Sequence, residues 1–363
     1  MAAYSNMTFG NATSSDVAGQ VVMPKLDKKI DLTTVGSSDS TVKKMTFSPD
    51  GRYLGIVESP DILRTDIVVW DLQLGKAQSH IHCAYNFAAL PGYDLLWNRD
   101  GTVISFGAAE QWDAMTGAAL PNNPAVGQSA KLNRDGSKLL TIMTKVDGSY
   151  IYVYDTKTWA LQKLYLDGLT VETAAWTADD RILAGVSVTR NLLGQKFDGR
   201  TVTGQYDTAM RLIDPSNKEV TKAVWFPAES TGDPKSPFTY AFPIGSHGIS
   251  NFVTNQLFLD AGFVIDGTTL KVSRYQSFDK DDIAPGSFGM GFSGDGRYLY
   301  LKGASFSFGG HAAIKNSVVD VASGTPVLQF RGAMDHEGGL AVSPDGKHLA
   351  LGDADSISIF NLQ

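Results

Sequence analysis

One short turn recurs along this chain and limits its fold more tightly than any bulk property. It reads Phe47-Ser48-Pro49-Asp50-Gly51, Trp97-Asn98-Arg99-Asp100-Gly101 and Leu132-Asn133-Arg134-Asp135-Gly136. It continues as Trp176-Thr177-Ala178-Asp179-Asp180, weakens at Val253-Thr254-Asn255, and returns at Phe292-Ser293-Gly294-Asp295-Gly296 and Val342-Ser343-Pro344-Asp345-Gly346. Pro fixes φ at the first turn position, Asp bonds back to nearby backbone, and Gly accepts the left-handed conformation. Such a turn joins two antiparallel strands. Alternating runs flank it, as in Tyr53-Leu54-Gly55-Ile56-Val57. A third strand then ends in Asp, at Val69-Trp70-Asp71, Val153-Tyr154-Asp155 and Val318-Val319-Asp320, and a weaker fourth follows, as in Leu161–Leu166.

Four short antiparallel strands per repeat make the blade of a propeller. The anchors Phe47, Trp97, Leu132, Trp176, Val253, Phe292 and Val342 lie 50, 35, 44, 77, 39 and 50 residues apart. Blade repeats take about 40 to 50 residues, so the long interval reads as one blade carrying insertions. The expected fold is therefore all-β, a seven-bladed β-propeller of four-stranded antiparallel blades. Six or eight blades are the alternatives that the weak fifth copy leaves open. The stretch Phe47-Ser48-Pro49-Asp50-Gly51 through Val69-Trp70-Asp71 resembles a WD-repeat. Gly339–Ala350, with Val342-Ser343-Pro344-Asp345-Gly346 at its centre, resembles a YVTN repeat. The likeness runs from Val42 to Gln363 and implies a fold, not an activity. The Gly-His pair that a WD-repeat places before its first strand is missing, which favours the YVTN side. The resemblance also implies that the N-terminus closes the ring. The last repeat ends at Ile357-Ser358-Ile359-Phe360, its third strand, and Lys29-Ile30-Asp31-Leu32-Thr33 alternates suitably to supply the fourth. Residues 1–20 then read as a Ser/Asn/Thr-rich mobile arm and 21–363 as a single propeller domain.

Composition narrows the function. The chain has 363 residues, 43% hydrophobic and 19% charged, with a net charge of −7 and dispersed Lys and Arg, which argues against nucleic acid as a partner. Cys83 is the only cysteine, so no intrachain disulfide and no thiolate metal cluster can form. No apolar run is long enough to span a bilayer. The first residues lack a basic start and an apolar core, so they do not read as a secretory signal. The default compartment is the cytoplasm, or the periplasm or exterior if a signal was removed. Asn6-Met7-Thr8 and Asn11-Ala12-Thr13 match the glycosylation acceptor pattern by chance composition.

Strand order predicts where variation falls. The Asp-Gly turn lies on one face of the disc, and the second-to-third-strand and blade-to-blade connections lie on the other. The expected insertions at 59–64, 190–205, 229–246 and 303–315 all belong to that second face. They carry Ile62, Leu63, Arg64, Arg190, Leu192, Leu193, Phe197, Phe238, Tyr240, Phe242, Phe306, Phe308 and His311, more apolar than solvated loops require. The expectation is a non-enzymatic interaction scaffold that holds a protein or glycan partner on this face and needs no cofactor. The alternative is a small-molecule hydrolase or lactonase with its site at the channel mouth, using His247, His311 or His336 as acids or bases. That alternative is implied by the lactonase relatives of YVTN-like propellers. The sequence contains neither a G-x-S-x-G elbow nor a triad-like arrangement of its six histidines.

Three motifs are set aside. His80-Ile81-His82 puts two imidazoles on one face of an outer strand, a chelating spacing, but no third ligand is near in sequence, so no metal site is expected. Gly289-Met290-Gly291-Phe292-Ser293-Gly294 matches G-x-G-x-x-G across a strand and its turn, without a helix to receive a phosphate. Asp279-Lys280-Asp281-Asp282 and Asp353-Ala354-Asp355 lack the later acid of a calcium loop.

Overall fold

The computed structural model describes residues 9–10, 25–35, 41–61, 64–83, 95–106, 110–145, 148–188, 194–197, 200–201, 208–226, 249–259, 263–274, 288–293, 295–302, 314–332, 339–352 and 356–362. Seven antiparallel sheets succeed one another along the chain, giving blades at 41–83, 95–120, 128–167, 169–226, 249–274, 288–332 and 340–361. Among the described residues blade 2 has three strands, and the bridge Trp112↔Ala119 stands where its fourth would run. The first strands of successive blades lie side by side around the axis. Thr41–Phe47, for example, lies against both Leu95–Trp97 and Leu340–Val342.

The ring closes as expected, with a shift in register. Lys25–Asp31 pairs antiparallel with Ser356–Asn361, Lys25 opposite Asn361 and Asp31 opposite Ser356. The expected closing strand at 29–33 is thus centred three residues too late, because Leu32–Val35 turns into a 3-10 segment. Thr33 N–H and its hydroxyl both donate to Asp31 Oδ1 and divert the chain there. Within 1–20, Phe9–Gly10 pairs with Phe330 and Gln329 on the outer strand of blade 6.

The turn chemistry explains the repeat. Ser48 Oγ donates to Asp50 and accepts the N–H of Tyr53, and Ser293 and Ser343 repeat both bonds. Asn98 and Asn133 replace the hydroxyl with an amide oxygen that accepts from Val103 and Lys138. Gly51 sits at φ 72°, and Asp180 takes the same left-handed position in blade 4 at φ 61°. The fifth copy is displaced. Its first strand is Ile249–Asn251, so the anchor is Ser250, and Val253, Thr254 and Asn255 lie inside the turn. Every third strand of blades 1 to 6 ends in an Asp whose carboxylate accepts from backbone N–H groups of the next turn. Asp71 takes those of Gln73 and Leu74, and Asp155 those of Lys157 and Thr158.

Among the described residues, seven buried clusters form the interior, one between each pair of neighbouring blades. Each sheet is covered on both sides, so its inner strands are buried on both faces, and Ile182–Val188 is buried at every position. Both faces of the disc are thereby fixed by strand direction. Turn-face connections are short and pinned by side chains. On the opposite face the chain leaves at Val188 and returns at Thr208, leaves at Phe226 and returns at Ile249, and leaves at Lys302 and returns at Ile314. The segment at 59–64 differs from its expectation as an insertion. Tyr53–Asp61 and Arg64–Asp71 extend toward each other, so that blade 1 has longer strands instead of a long connection.

Candidate functional site

The extension of blade 1 creates the densest group of ionisable side chains among the described residues. Strand pairing sets Glu58 opposite Asp66 and Asp66 opposite His82, and His80 opposite Val68. Side chains two apart on a strand share a face, so Glu58, Asp66, His80 and His82 all project toward the blade 7 side. They continue the row begun by Ile56 and Val68, which pack against Ala350, Ile357 and Ile359. The opposite face of the same strands, with Val57, Ile67 and Ile81, packs on blade 2. The cluster stands at the strand ends nearest the face with the long connections, on the outer rim.

Glu58 and Asp66 are wholly buried. His80 Nε2 lies 3.2 Å from Asp66 Oδ2 and 3.7 Å from Glu58 Oε1, and His82 Nδ1 lies 3.1 Å from Asp66 Oδ1. Arg64 closes the group by donating through Nε and Nη2 to Asp66, with Nη2 at 2.5 Å, and Nη2 also stands 3.4 Å from His82 Nδ1. The two imidazole rings are 4.5 Å apart between centroids. Burial pushes the Asp66 carboxyl up, but hydrogen bonds from Arg64 and His82 outweigh it and hold the group below its ordinary range. Burial lowers His80, and the attraction of Asp66 does not make up for it, so its imidazole is held neutral. Cys83 follows in the same strand but packs on the blade 2 side, where burial, then Glu110 and Asp66, push its thiol up to about 12. It is neither a nucleophile nor a thiolate ligand at neutral pH.

Sequence reasoning had the histidine pair but not its partners. Asp66 comes from the neighbouring strand, and the signal for it was present as an acid directly before the apolar run Ile67-Val68-Val69. Glu58 likewise follows Ile56-Val57. Of the residues expected on a binding face, Arg64 is in this cluster, its side chain 44% exposed and bonded to Asp66. Phe197 lies in a short hairpin with Arg200 within the blade 4 excursion. Ile62, Leu63, Arg190, Leu192, Leu193, Phe238, Tyr240, Phe242, Phe306, Phe308 and His311 lie outside the described residues, as do His247, His336, 279–282 and 353–355. Gly289–Phe292 is strand, followed by a turn and the strand Tyr298–Lys302, so the G-x-G-x-x-G match is no phosphate loop.

A second feature lies on the turn face, an open hollow of about 710 Å³ over blades 1 to 4. Its wall includes Arg99, Arg134, Asp135, Asp179 and Asp180. The three acids are committed to structure. Asp135 accepts from Ser137, Asp179 from Thr177 and Arg181, and Asp180 from Asn133 and Lys138 of blade 3. Asp180 thus ties the blade 4 turn to blade 3 at the wall of the hollow.

The fold and its faces define a seven-bladed all-β propeller. No family model matches this chain, and no curated protein matches it. Among solved structures it is similar to the β-propeller domain of Cps50 (Swd1) from Myceliophteria thermophila. The TM-score is 0.58 and the identity 13%, over 94% of this chain and 100% of that one. At that identity the likeness is one of fold. No helix among the described residues is long and apolar enough to cross a membrane.

Proposed function

We propose that this chain is an interaction scaffold of the WD-repeat or YVTN kind, holding a protein partner on the face that bears the long connections. The observation that carries this reading is the asymmetry of the disc. On one face every described connection is tight and tied down by Ser, Asn or Asp side chains. On the other, the excursions from Val188, Phe226 and Lys302 leave a closed, rigid frame. Variable loops on a fixed scaffold are how binding surfaces are built. The apolar side chains expected there, Leu192, Leu193 and Phe197 among them, supply contact area that a hydrolase mouth does not need.

The test is a Leu192→Asp, Leu193→Asp, Phe197→Asp triple variant, used as bait in native extract and on a glycan array beside the parent chain. The expected result is loss of a captured protein at unchanged melting temperature. A large drop in melting temperature would reassign these residues to packing. Retention on glycans, with no protein captured, would replace the partner class.

A further inference from the structure

We propose that Asp66, His80 and His82 form a binding site for a divalent first-row cation, with zinc the fitting occupant and Glu58 its hydrogen-bonding support. The site is independent of the scaffold reading.

The geometry is that of a ligand set. One ligand atom from each of the three residues lies within 4.8 Å of the others. A tetrahedral ion with bonds of about 2.0 to 2.1 Å spaces its ligand atoms about 3.3 to 3.5 Å apart. The distances here lie just under that edge, at 3.2 Å for His80 Nε2 to Asp66 Oδ2 and 3.1 Å for His82 Nδ1 to Asp66 Oδ1. Two imidazoles and a carboxylate are a donor set that suits zinc. All three sit on paired strands of one sheet, which fixes their spacing without a loop to order. The His82 side chain is 63% exposed, so the fourth position opens to solvent for a water. Glu58, wholly buried and beside His80, is placed to accept a hydrogen bond from that water.

The position of Arg64 gives the same answer. Asp66 is wholly buried, and a buried carboxylate demands a cation beside it. Arg64 supplies one from the edge of the cluster, touching both Asp66 and His82, where a metal would sit. Its side chain is 44% exposed and can withdraw to solvent. A dication in its place would meet the Asp66 carboxylate and both imidazoles. Arg64 is thus a competitor for the site, and this distinguishes a built site from two histidines on a surface.

The full chain, freed of metal by dialysis against chelator, is titrated with Co(II) and followed by visible absorption, then displaced with Zn(II) and measured by competition with a chromophoric chelator. The expected result is a single equivalent, with the intense visible bands of four-coordinate cobalt bleached by zinc. His80→Ala and His82→Ala should each weaken binding by about tenfold or more, and Glu58→Gln by roughly 10- to 100-fold. Arg64→Ala should tighten it. Melting curves of the metal-free variants identify any that fail to fold. His82→Ala and Arg64→Ala change exposed side chains and keep the test open if the buried variants do. Absence of stoichiometric binding overturns the proposal. So does binding that Arg64→Ala and Asp66→Asn leave unchanged, because that is the behaviour of a surface histidine pair.

Discussion

Trp176 is the sharpest test of how the blades are held together. It is the anchor before the fourth turn, 2% exposed, and its indole fills the layer between blades 3 and 4 with Leu140, Val153, Ile182 and Ile213. Its Nε1–H donates at 3.0 Å to the backbone oxygen of Lys131, on the innermost strand of the preceding blade. Lys138 Nζ stands 5.9 Å from its ring centroid. Removal to alanine deletes this packing and leaves a cavity that two rigid sheets cannot close, a loss of about 3 to 5 kcal/mol. Phenylalanine keeps much of the apolar contact but not the donor, and the Lys131 oxygen loses its cross-blade partner, a loss of about 1 to 3 kcal/mol. An unfolding entropy of about 2.1 cal/mol/K per residue gives about 0.76 kcal/mol/K for 363 residues. Trp176→Ala should therefore lower the melting temperature by about 4 to 7 °C, and Trp176→Phe by about 1 to 4 °C, by calorimetry or circular dichroism. Leu161→Ala, at a 41% exposed outer-strand position, serves as the control and should cost under about 0.5 kcal/mol. A Trp176→Ala loss below about 1 kcal/mol would refute the claim that buried layers between blades carry the stability.

Other perturbations follow from the same contacts. Gly55→Ala puts a Cβ 2.8 Å from Ile104 and 3.0 Å from Leu95 across the blade 1–2 layer, and should cost about 1 to 3 kcal/mol in urea unfolding. Burial pushes the Asp71 carboxyl up, yet Leu74, Arg52 and Gln73 together hold it below its ordinary range. Its stabilisation is present above the unfolded-state value and lost as pH falls through the folded one. Asp71→Asn should thus cost about 1.5 to 3 kcal/mol at neutral pH, with the gap from the parent closing as the buffer is taken below about pH 4. Glu172 runs the other way, since burial raises its carboxyl despite a hydrogen bond from Ser187. Its contribution is full below the unfolded value and lost as pH rises, so Glu172→Gln should raise the melting temperature at pH 7 and lose that advantage near pH 4. Deleting residues 1–31 removes the partner of Ser356–Asn361 and exposes a strand edge, which should appear as aggregation in light scattering.

Much of this architecture was legible in one sequence, because its signals are local. A Ser or Asn that accepts the N–H five residues on, or an Asp that caps the turn after a strand, needs only its near neighbours. The weak fifth copy was misplaced by three residues for the same reason in reverse. There Asn251 accepts from Val253 and Thr254 in place of the usual turn chemistry, and no Pro or Gly marks the spot. The closing strand was shifted because Asp31 engages Thr33 and ends the strand early.

The blade 1 cluster shows what local signals leave undetermined. His80 and His82 announce a shared face by their spacing alone, but their partners stand 14 and 16 residues away along the chain. Only the register of three strands, set by which residues pack on blade 7 and which on blade 2, brings Glu58 and Asp66 to the same spot. Turn chemistry and the number of blades are thus written in short stretches of sequence. Which charges meet in the interior is decided by strand pairing, since a shift of one residue would send every one of these side chains to the other side of the sheet.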